Sequence, residues 1–574
     1  MSLLLVLKSS AVHAQFMYVR LVKKPNDRVS VRIVESYREG AKVRQKIICG
    51  IGTSHKDDSA RISSLKSVGE KVIISLKNER HPALPGFEEV AHGRGSVEKE
   101  KKQDDLEAQV SISGLQEERR IHQGIEDIFG QVFDQLNLFD SIKSGYKKDS
   151  SNELFKQVVL QRIAAPASKR QSVKDLATTK GVSLELDKVY RMMDKVYEHR
   201  QEIKTTIATA TQDLLSGTVD VAFFDVTTLY FESFVPDDLR RSGFSKDGKF
   251  KETQVMLALI TTTEGLPLGY ELFPGNSYEG NTLLTSIEAL ETQYNLSQVS
   301  IVADRAMFTK NNLQQLDEKG ISFIVAAKLK GLNKSLKETI LNDIEIAKQA
   351  TPDLTQWTKE YTLNQRRLVV HYSGKRAAKD TSDRQRLVDR ITKKMKDGKV
   401  RLADLVTNSG TKKYLSLEKK GAKYATLNND KITLDSKWDG LHGVITNLPK
   451  KHADHQNILE RYRGLWQIEE AFRVNKHDLK MRPIYHWTPK RIKAHILICF
   501  VAFALVAFVR KKIKQKKINI SFQEIRYQLS QVQVSLVSDT NSGQKFLLPS
   551  KANDIQKTIY KAFGLKLNTK PTLI

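Results

Sequence analysis

Two aspartates stand at the ends of apolar strand-like runs: Asp225 directly follows VAFF, and Asp304 follows VSIVA. A charge at the mouth of a buried strand is costly unless something pairs with it. Two such carboxylates on neighbouring strands make a natural site for a hard cation such as Mg²⁺ or Mn²⁺. Taken singly, each could instead cap a strand end or pair with a nearby base such as Arg305. A third acid lies in RYRGLWQIEEAFRVNKHDL. At 100° per residue, Leu465, Ile468, Phe472 and Leu479 fall within about 60° of one another, with Glu469 about 40° and Glu470 about 140° from Leu465. That spacing predicts Glu469 facing the core and Glu470 facing solvent. Lys476 returns to the side of Glu469 about two turns later, so a carboxylate and a lysine on one helix face could serve a metal and a phosphate.

Basic charge gathers around this helix. Residues 461–520 hold 15 Lys and Arg against three acids, Glu469, Glu470 and Asp478. Carboxylates able to hold a dication inside strong positive potential suit phosphodiester chemistry, the metal neutralising the scissile phosphate while Lys and Arg hold its flanks. Tyr462, Trp466, Tyr485, His486 and Trp487 are interleaved with the bases and could stack on unpaired nucleobases, although such residues are more often core.

The whole chain carries the same bias. Its 574 residues include 94 Lys plus Arg and 66 Asp plus Glu, a formal charge of +28, with a pI near 9.7. A surplus of that size points to a polyanionic partner, nucleic acid before anionic membrane. With 40% hydrophobic residues the chain can bury several cores, and its length suggests roughly three or four domains. Two cysteines, Cys49 and Cys499, provide no disulfide framework and no Cys-based zinc cluster, which fits a reducing cytoplasm. The apolar run Ile496 to Val509 is shorter than the 18 or so residues of a typical span, so it reads as a buried core helix and no membrane is expected. MSLLLVL lacks a preceding positive charge, and a secretory signal is the weaker reading of the first 16 residues.

The elements that must position the acids follow from texture. Residues 17–90 begin with an apolar–polar alternation around two turn signals, which predicts a basic, three-stranded antiparallel unit over 17–52. Residues 91–116 lose their apolar content and read as a charged linker. Helical spacing over 117–216 predicts a helical DNA-binding domain. Lys169, Arg170, Lys174, Lys188, Arg191 and Lys195 decorate it, either for phosphate contact or as an ordinary solvated face. Strand-like runs at 219–226, 254–261, 268–273, 299–304 and 321–328, with helices between, predict a mixed α/β sheet over 217–331. Residues 332–445 read as a β-rich insertion with one charged helix, 446–517 as the second, helical part of the α/β domain, and 518–574 as a C-terminal tail.

Ordered motifs then resemble a known family: insertion-sequence transposases with an RNase H-like DDE domain, specifically family four of the insertion sequences, whose catalytic domain carries a large β-rich insertion. The motifs are FFDVTTLYFE at Asp225, GFSKDGK (243–249), GYELFPGN (269–276), VADRAMFTKNNL at Asp304, and the glutamate signature as Tyr462, Leu465, Glu469 and Lys476, followed by LKMRPIYHWTPKRIKAH (479–495). Leu465 stands where the family has arginine, so that role is either missing or moved to neighbouring Arg463 or Arg473. Ala306 stands where many relatives have glycine.

The resemblance implies a multidomain α/β fold and a DNA transposase that cleaves insertion-sequence ends and transfers the 3′-hydroxyl strand into target DNA. It implies Asp225, Asp304 and Glu469 as catalytic and metal-binding residues, with two Mg²⁺ ions and Mn²⁺ able to substitute. Lys476, Tyr462, Arg463, Arg473, Lys480, Arg482 and Arg305 are the expected DNA contacts. The expected partner is double-stranded DNA, both transposon end and target, bound by a homodimer in the cytoplasm at the nucleoid. Two other readings share the residues: an RNase H-like endonuclease without strand transfer, and a DNA-binding protein that has lost catalysis. A glycosidase with paired carboxylates fits poorly with the pI and the clustered bases.

Overall fold

In a computed structural model the described residues are 16–24, 27–39, 42–80, 112–138, 150–217, 219–232, 234–243, 251–277, 279–294, 299–304, 308–405, 410–417 and 423–574. Arg305, Ala306, most of GFSKDGK and 91–111 of the expected linker lie outside them. The chain divides into two compact units, Met1–Glu107 and Ala108–Ile574.

In the first unit β1 (Phe16–Lys24), β2 (Arg28–Glu39) and β3 (Lys42–His55) form an antiparallel sheet in that order. Val31 and Ile33 of the central strand are buried. The strand pattern is followed by a 22-residue helix, α1 (Ser59–Arg80), which packs on all three strands.

The second unit opens with β4 (Leu115–His122) and the helices α2 (Gln131–Leu136), α3 (Ser150–Ala164), α4 (Lys169–Thr179), α5 (Leu186–Glu198) and α6 (Arg200–Leu214). Next come β5 (Val221–Tyr230), β6 (Gln254–Thr262), β7 (Pro267–Pro274), α7 (Glu279–Tyr294), β8 (Ser300–Ala303), α8 (Lys310–Glu318) and β9 (Phe323–Ala327). The strands β5, β6 and β7 make an antiparallel meander, and β8 and β9 continue the sheet parallel to β5. Continuous burial along β5 and β6 reflects cover on both faces, which is why these runs read as apolar rather than alternating.

The segment expected to be a β-rich insertion is more helical than β. It contains α9 (Lys334–Ala350), β10 (Gln356–Leu363), β11 (Arg366–Ser373), α10 (Gly374–Thr392), β12 (Lys399–Arg401), β13 (Leu415–Ser416), β14 (Tyr424–Leu427), α11 (Asn429–Ser436) and β15 (Leu441–Thr446). Leu336, Ile340, Ile344 and Ala347 repeat at helical spacing and pack with Leu368 and Val370 of β11. The strands β10, β11 and β15 do not form a separate sheet. They lengthen the central one to eight strands, in the order β10-β11-β15-β9-β8-β5-β6-β7.

Asp435 on α11 ties this region together. It accepts hydrogen bonds from Tyr414 (2.6 Å) and Lys413 (3.1 Å) and pairs with Lys330. Burial by itself would raise its pKa, but the bonds from Lys330, Tyr414 and Lys413 outweigh that and hold it at about 2. A depressed carboxylate pKa adds stability that is present above the unfolded value and is lost as pH falls through the folded one. Asp435→Asn is therefore expected to cost on the order of 1–2 kcal/mol at pH 7, falling to about a few tenths of a kcal/mol near pH 2, where the folded carboxyl is half protonated. Urea unfolding between pH 7 and pH 2 tests this, and an equal deficit at both ends would remove Asp435 from the acid limb.

The chain then runs through α12 (His455–Arg463), α13 (Trp466–Arg473) and the long α14 (Pro489–Gln515). Among the described residues α14 is the one helix long and apolar enough to cross a membrane, yet 89% of its apolar window is buried within the protein. It forms the centre of the main core. Phe155 and Val159 of α3, Val189 and Met193 of α5, and Ile203 of α6 share that core with α14 and with one face of the central sheet. The helices expected as a separate domain thus have no separate interior of their own.

The expected tail is folded as well. It comprises α15 (Phe522–Ser530), β16 (Gln533–Asp539), β17 (Lys545–Pro549), α16 (Asp554–Ala562) and β18 (Thr572–Leu573). β16 pairs antiparallel with β4, so the start of the expected helical domain, with Leu115 and Gln116 of the expected linker, builds one sheet with the expected tail. No local pattern announces a pairing between strands separated by about four hundred residues, because strand propensity reports a pleated surface and not a partner.

Candidate active site

The register between β5 and β8 sets the two aspartates side by side. Phe223 pairs with Val302 and Phe224 with Ala303, and Asp225 and Asp304 are the next residues on their strands. Neighbouring strands lie about 5 Å apart, and residues in step on parallel strands point to the same face. Phe223, Leu229 and Val302 contribute to the main core, whereas Ala222, Phe224, Val226 and Ala303 belong to the core on the opposite face. By that alternation both aspartates face the main-core side, Asp225 half-buried and Asp304 exposed. The Asp225 Oδ1 also accepts a hydrogen bond from the backbone N–H of Val226 (2.7 Å).

Helix α13 crosses the same face. Ile468, Ala471 and Phe472 are its buried residues, and the helix packs on β5 and β6. The turn before it is seated by Gly464, where an added Cβ would come within 2.7 Å of the Phe223 ring. Phe223 is fully buried and lies two residues before Asp225 on the same strand face. Contact at Gly464 thus sets the height of Glu469 over the aspartates.

Glu469 itself is exposed, which overturns the expectation that it faces the core. Ala471, Val474 and Asn475 join the buried side, and their inclusion turns its centre to about 120° from Glu469. Glu470, expected in solvent, is half-buried and held by Arg473 (2.7 Å) and Arg510 (3.6 Å). Beyond Arg473 the helix widens into a single π-turn, Val474–Asp478, a feature frequent at functional sites. Lys476 lies in it, its ammonium 5.8 Å from the centre of the Phe472 ring.

Tyr462, at the end of α12, connects the acids. Burial raises its pKa, the negative charge of Asp304 raises it further, and Glu469 adds to this against the opposing Arg376. Its phenol therefore stays protonated, a donor within the combined field of both carboxylates. Arg376, on α10, brings a cation from the insertion that nothing in its lysine- and arginine-rich surroundings had singled out. Arg463 donates to His371 Nε2 (3.0 Å), so His371 carries its proton on Nδ1 and donates it to Thr358 (2.8 Å). Leu465, at the usual arginine position, packs against the main core.

The other expected contacts are spread. Arg473 is engaged by Glu470 and by Asp478 (3.3 Å). The Arg482 guanidinium lies 5.4 Å from the centre of the Tyr230 ring, at the end of β5. Lys480 and Arg482 line a cavity against α4.

The oxygen-only donor set of Asp225, Asp304 and Glu469, carried on one face by β5, the end of β8 and α13, fits a hard divalent cation. Among the described residues, however, no three carboxylate, imidazole or thiolate groups stand at ligating distance from one another.

Residues 220–505, which contain all three acids, match the family profile described as the transposase DDE domain. Residues 19–72 match that of the N-terminal domain of IS1634 family transposases. The chain belongs to the insertion-sequence DDE transposases. The N-terminal match carries a different family label from the one suggested by the sequence motifs; insertion-sequence DDE transposase is what the two have in common. No curated protein matches this transposase. Among solved structures, a piggyBac transposase synaptic complex with hairpin DNA is similar at a TM-score of 0.37 and 8% identity, over 71% of this chain and 77% of that one.

For the transposase, the Gly464–Phe223 seat makes a direct prediction. Gly464→Ala is expected to destabilise by about 1–3 kcal/mol through overpacking. It should also lower DNA cleavage about tenfold or more, because a displacement near 1 Å can cost that much. Adding Phe223→Leu should restore much of both. A double-mutant cycle with additive effects would show that the two sites are independent.

Proposed function

We propose that this transposase cuts DNA at insertion-sequence ends in a reaction dependent on divalent metal, then joins the freed 3′-hydroxyl to target DNA, using an RNase H-like catalytic domain. The observation that carries the reading is the placement of Asp225 and Asp304 at matching register on β5 and β8, beneath the helix that bears Glu469. The sheet order, an antiparallel meander β7-β6-β5 continued by parallel β8 and β9, supports the RNase H-like assignment.

Asp225, Asp304 and Glu469 would hold Mg²⁺, two ions in the full site and Mn²⁺ able to substitute, which supply Lewis acidity at the scissile phosphate. The remaining work belongs to side chains. Tyr462, kept as a phenol, donates a hydrogen bond to a phosphate oxygen. Lys476 and Arg463 hold the flanking phosphates, and Lys480 and Arg482 extend the basic track away from the cut. Arg473, bound to Glu470 and Asp478, keeps the end of α13 and its π-turn in place. Arg305 would contact DNA next to Asp304. Two protomers act together on two ends, in the cytoplasm at the nucleoid.

The test is a cleavage assay with labelled DNA from the flanks of the gene, with Mg²⁺ or with chelator, followed by addition of a target plasmid. Metal-dependent cuts at discrete ends, then joined product, support the reading. Cuts without joining would make the protein an endonuclease, and end binding without any cut would make it a DNA-binding protein.

A further inference from the structure

A second basic site lies apart from the carboxylates. A cavity of about 610 Å³ opens between the N-terminus of α4 and the loop that leads into α14. Its floor is formed by Arg162, Lys169 and His495, each at least 95% buried. Arg170, Lys480 and Arg482 stand higher in its wall, and no acidic side chain lines it. Lys169, one of the helix bases read as either phosphate contacts or a solvated face, is buried, and its ammonium has no hydrogen-bond or ion-pair partner among the described residues.

Two observations converge on an anion. An isolated buried ammonium is strongly disfavoured, and here burial, with the charge of Arg162 adding to it, lowers the pKa of Lys169 to about 7. The first backbone amides of α4, capped only at Gln171 by the Ser168 hydroxyl (3.2 Å), are donors at the positive end of an 11-residue helix that lines the cavity. His495 donates from Nε2 to the Met481 carbonyl (3.0 Å); burial and the charge of Lys169 hold its pKa well below the usual value, so its buried, unpartnered Nδ1 is an acceptor and adds no positive charge to the cavity.

We propose that this cavity binds the terminal 5′-phosphate of a cut DNA strand. Recess decides between a terminal and an internal phosphate. The cations are on the floor, and an internal phosphodiester, with a sugar on each side, cannot descend to them. A phosphomonoester can, and its charge near −2 at neutral pH matches the paired floor cations better than the single charge of a diester. Phosphodiester hydrolysis leaves such an end. Arg162 also donates to the carbonyls of Leu479 (3.5 Å) and Lys480 (3.4 Å), so an occupied floor would brace the segment directly after the Glu469 helix. The proposal rests on the DNA-cleaving reading, but its test does not require cleavage.

Full-length protein and its Lys169→Met variant would be titrated, without divalent metal, with labelled duplexes that differ only in carrying a 5′-phosphate or a 5′-hydroxyl. Melting would be followed in inorganic phosphate against chloride at equal ionic strength. Wild type should bind the phosphorylated end about tenfold more tightly, with Lys169→Met losing that preference while its affinity for the hydroxyl end changes less than about threefold. Phosphate should raise the melting temperature of wild type only, and the variant alone in chloride should melt no lower than wild type, since it loses a buried charge. A wild type indifferent to the 5′-phosphate, or a folded variant that keeps the preference, would overturn the proposal. Stabilisation by inorganic phosphate without binding to either duplex would also overturn it, as a site for a small phosphorylated molecule, and would count against the DNA reading itself. Tight binding to both duplexes with no preference would overturn the end-phosphate site alone.

Discussion

Asp225→Asn, Asp304→Asn and Glu469→Gln are each expected to reduce end cleavage by about 10³-fold or more, since each removes one charge from a set that acts as a unit. Binding to the same DNA should stay within about threefold, because phosphate contacts by Lys and Arg supply most of the affinity. Stability gives an independent check. Asn at 225 retains an oxygen able to accept from Val226 N–H. A melting curve on each variant separates loss of chemistry from loss of fold. A variant that loses activity together with its fold would say nothing of catalysis, and one that is folded and still cleaves would remove that acid from the site.

The largest loss of stability is expected at Gly275, in the GYELFPGN motif. A Cβ there would stand 2.1 Å from the carbonyl oxygen of Gln254 and 2.4 Å from that of Arg241. Both are backbone atoms, so no side chain can swing aside. Arg241 and Gln254 also exchange two backbone hydrogen bonds (3.1 and 3.0 Å), and the buried Gln254 amide donates to the Gly275 carbonyl (3.1 Å). Together these contacts pin residues 237–243 to the start of β6. Arg240, in that loop, pairs with Asp237 (2.8 Å) and places its guanidinium near the rings of Phe231 and Trp487, at 5.8 and 5.7 Å from their centres. Gly275→Ala is therefore expected to cost about 3 kcal/mol or more and to lower the melting temperature by several degrees. A melting curve within a degree of wild type would show that the backbone yields where the packing says it cannot.

Local pattern was enough to place the strands β5 to β9 and the two aspartates that end or interrupt them, because a strand covered on both faces must be continuously apolar and a charge within it stands out. It determined the basic field around α13, since charge is additive and needs no partner to be read. Which face those elements turn was set by packing between distant segments. The orientation of Glu469 depended on Ala471, Val474 and Asn475, a small residue, a branched one and a polar one, being buried by neighbours that no helical wheel contains. Lys169 had the composition of a surface residue and became a cavity floor because the loop of 480–486 and α14 close over the start of α4. The pairing of β4 with β16, and the single core shared by α14 and the helices α2 to α6, were likewise invisible in local pattern. Periodicity reports that a side must be covered; what covers it is settled by contacts between segments far apart in sequence, where chain entropy and packing, not propensity, choose the partner.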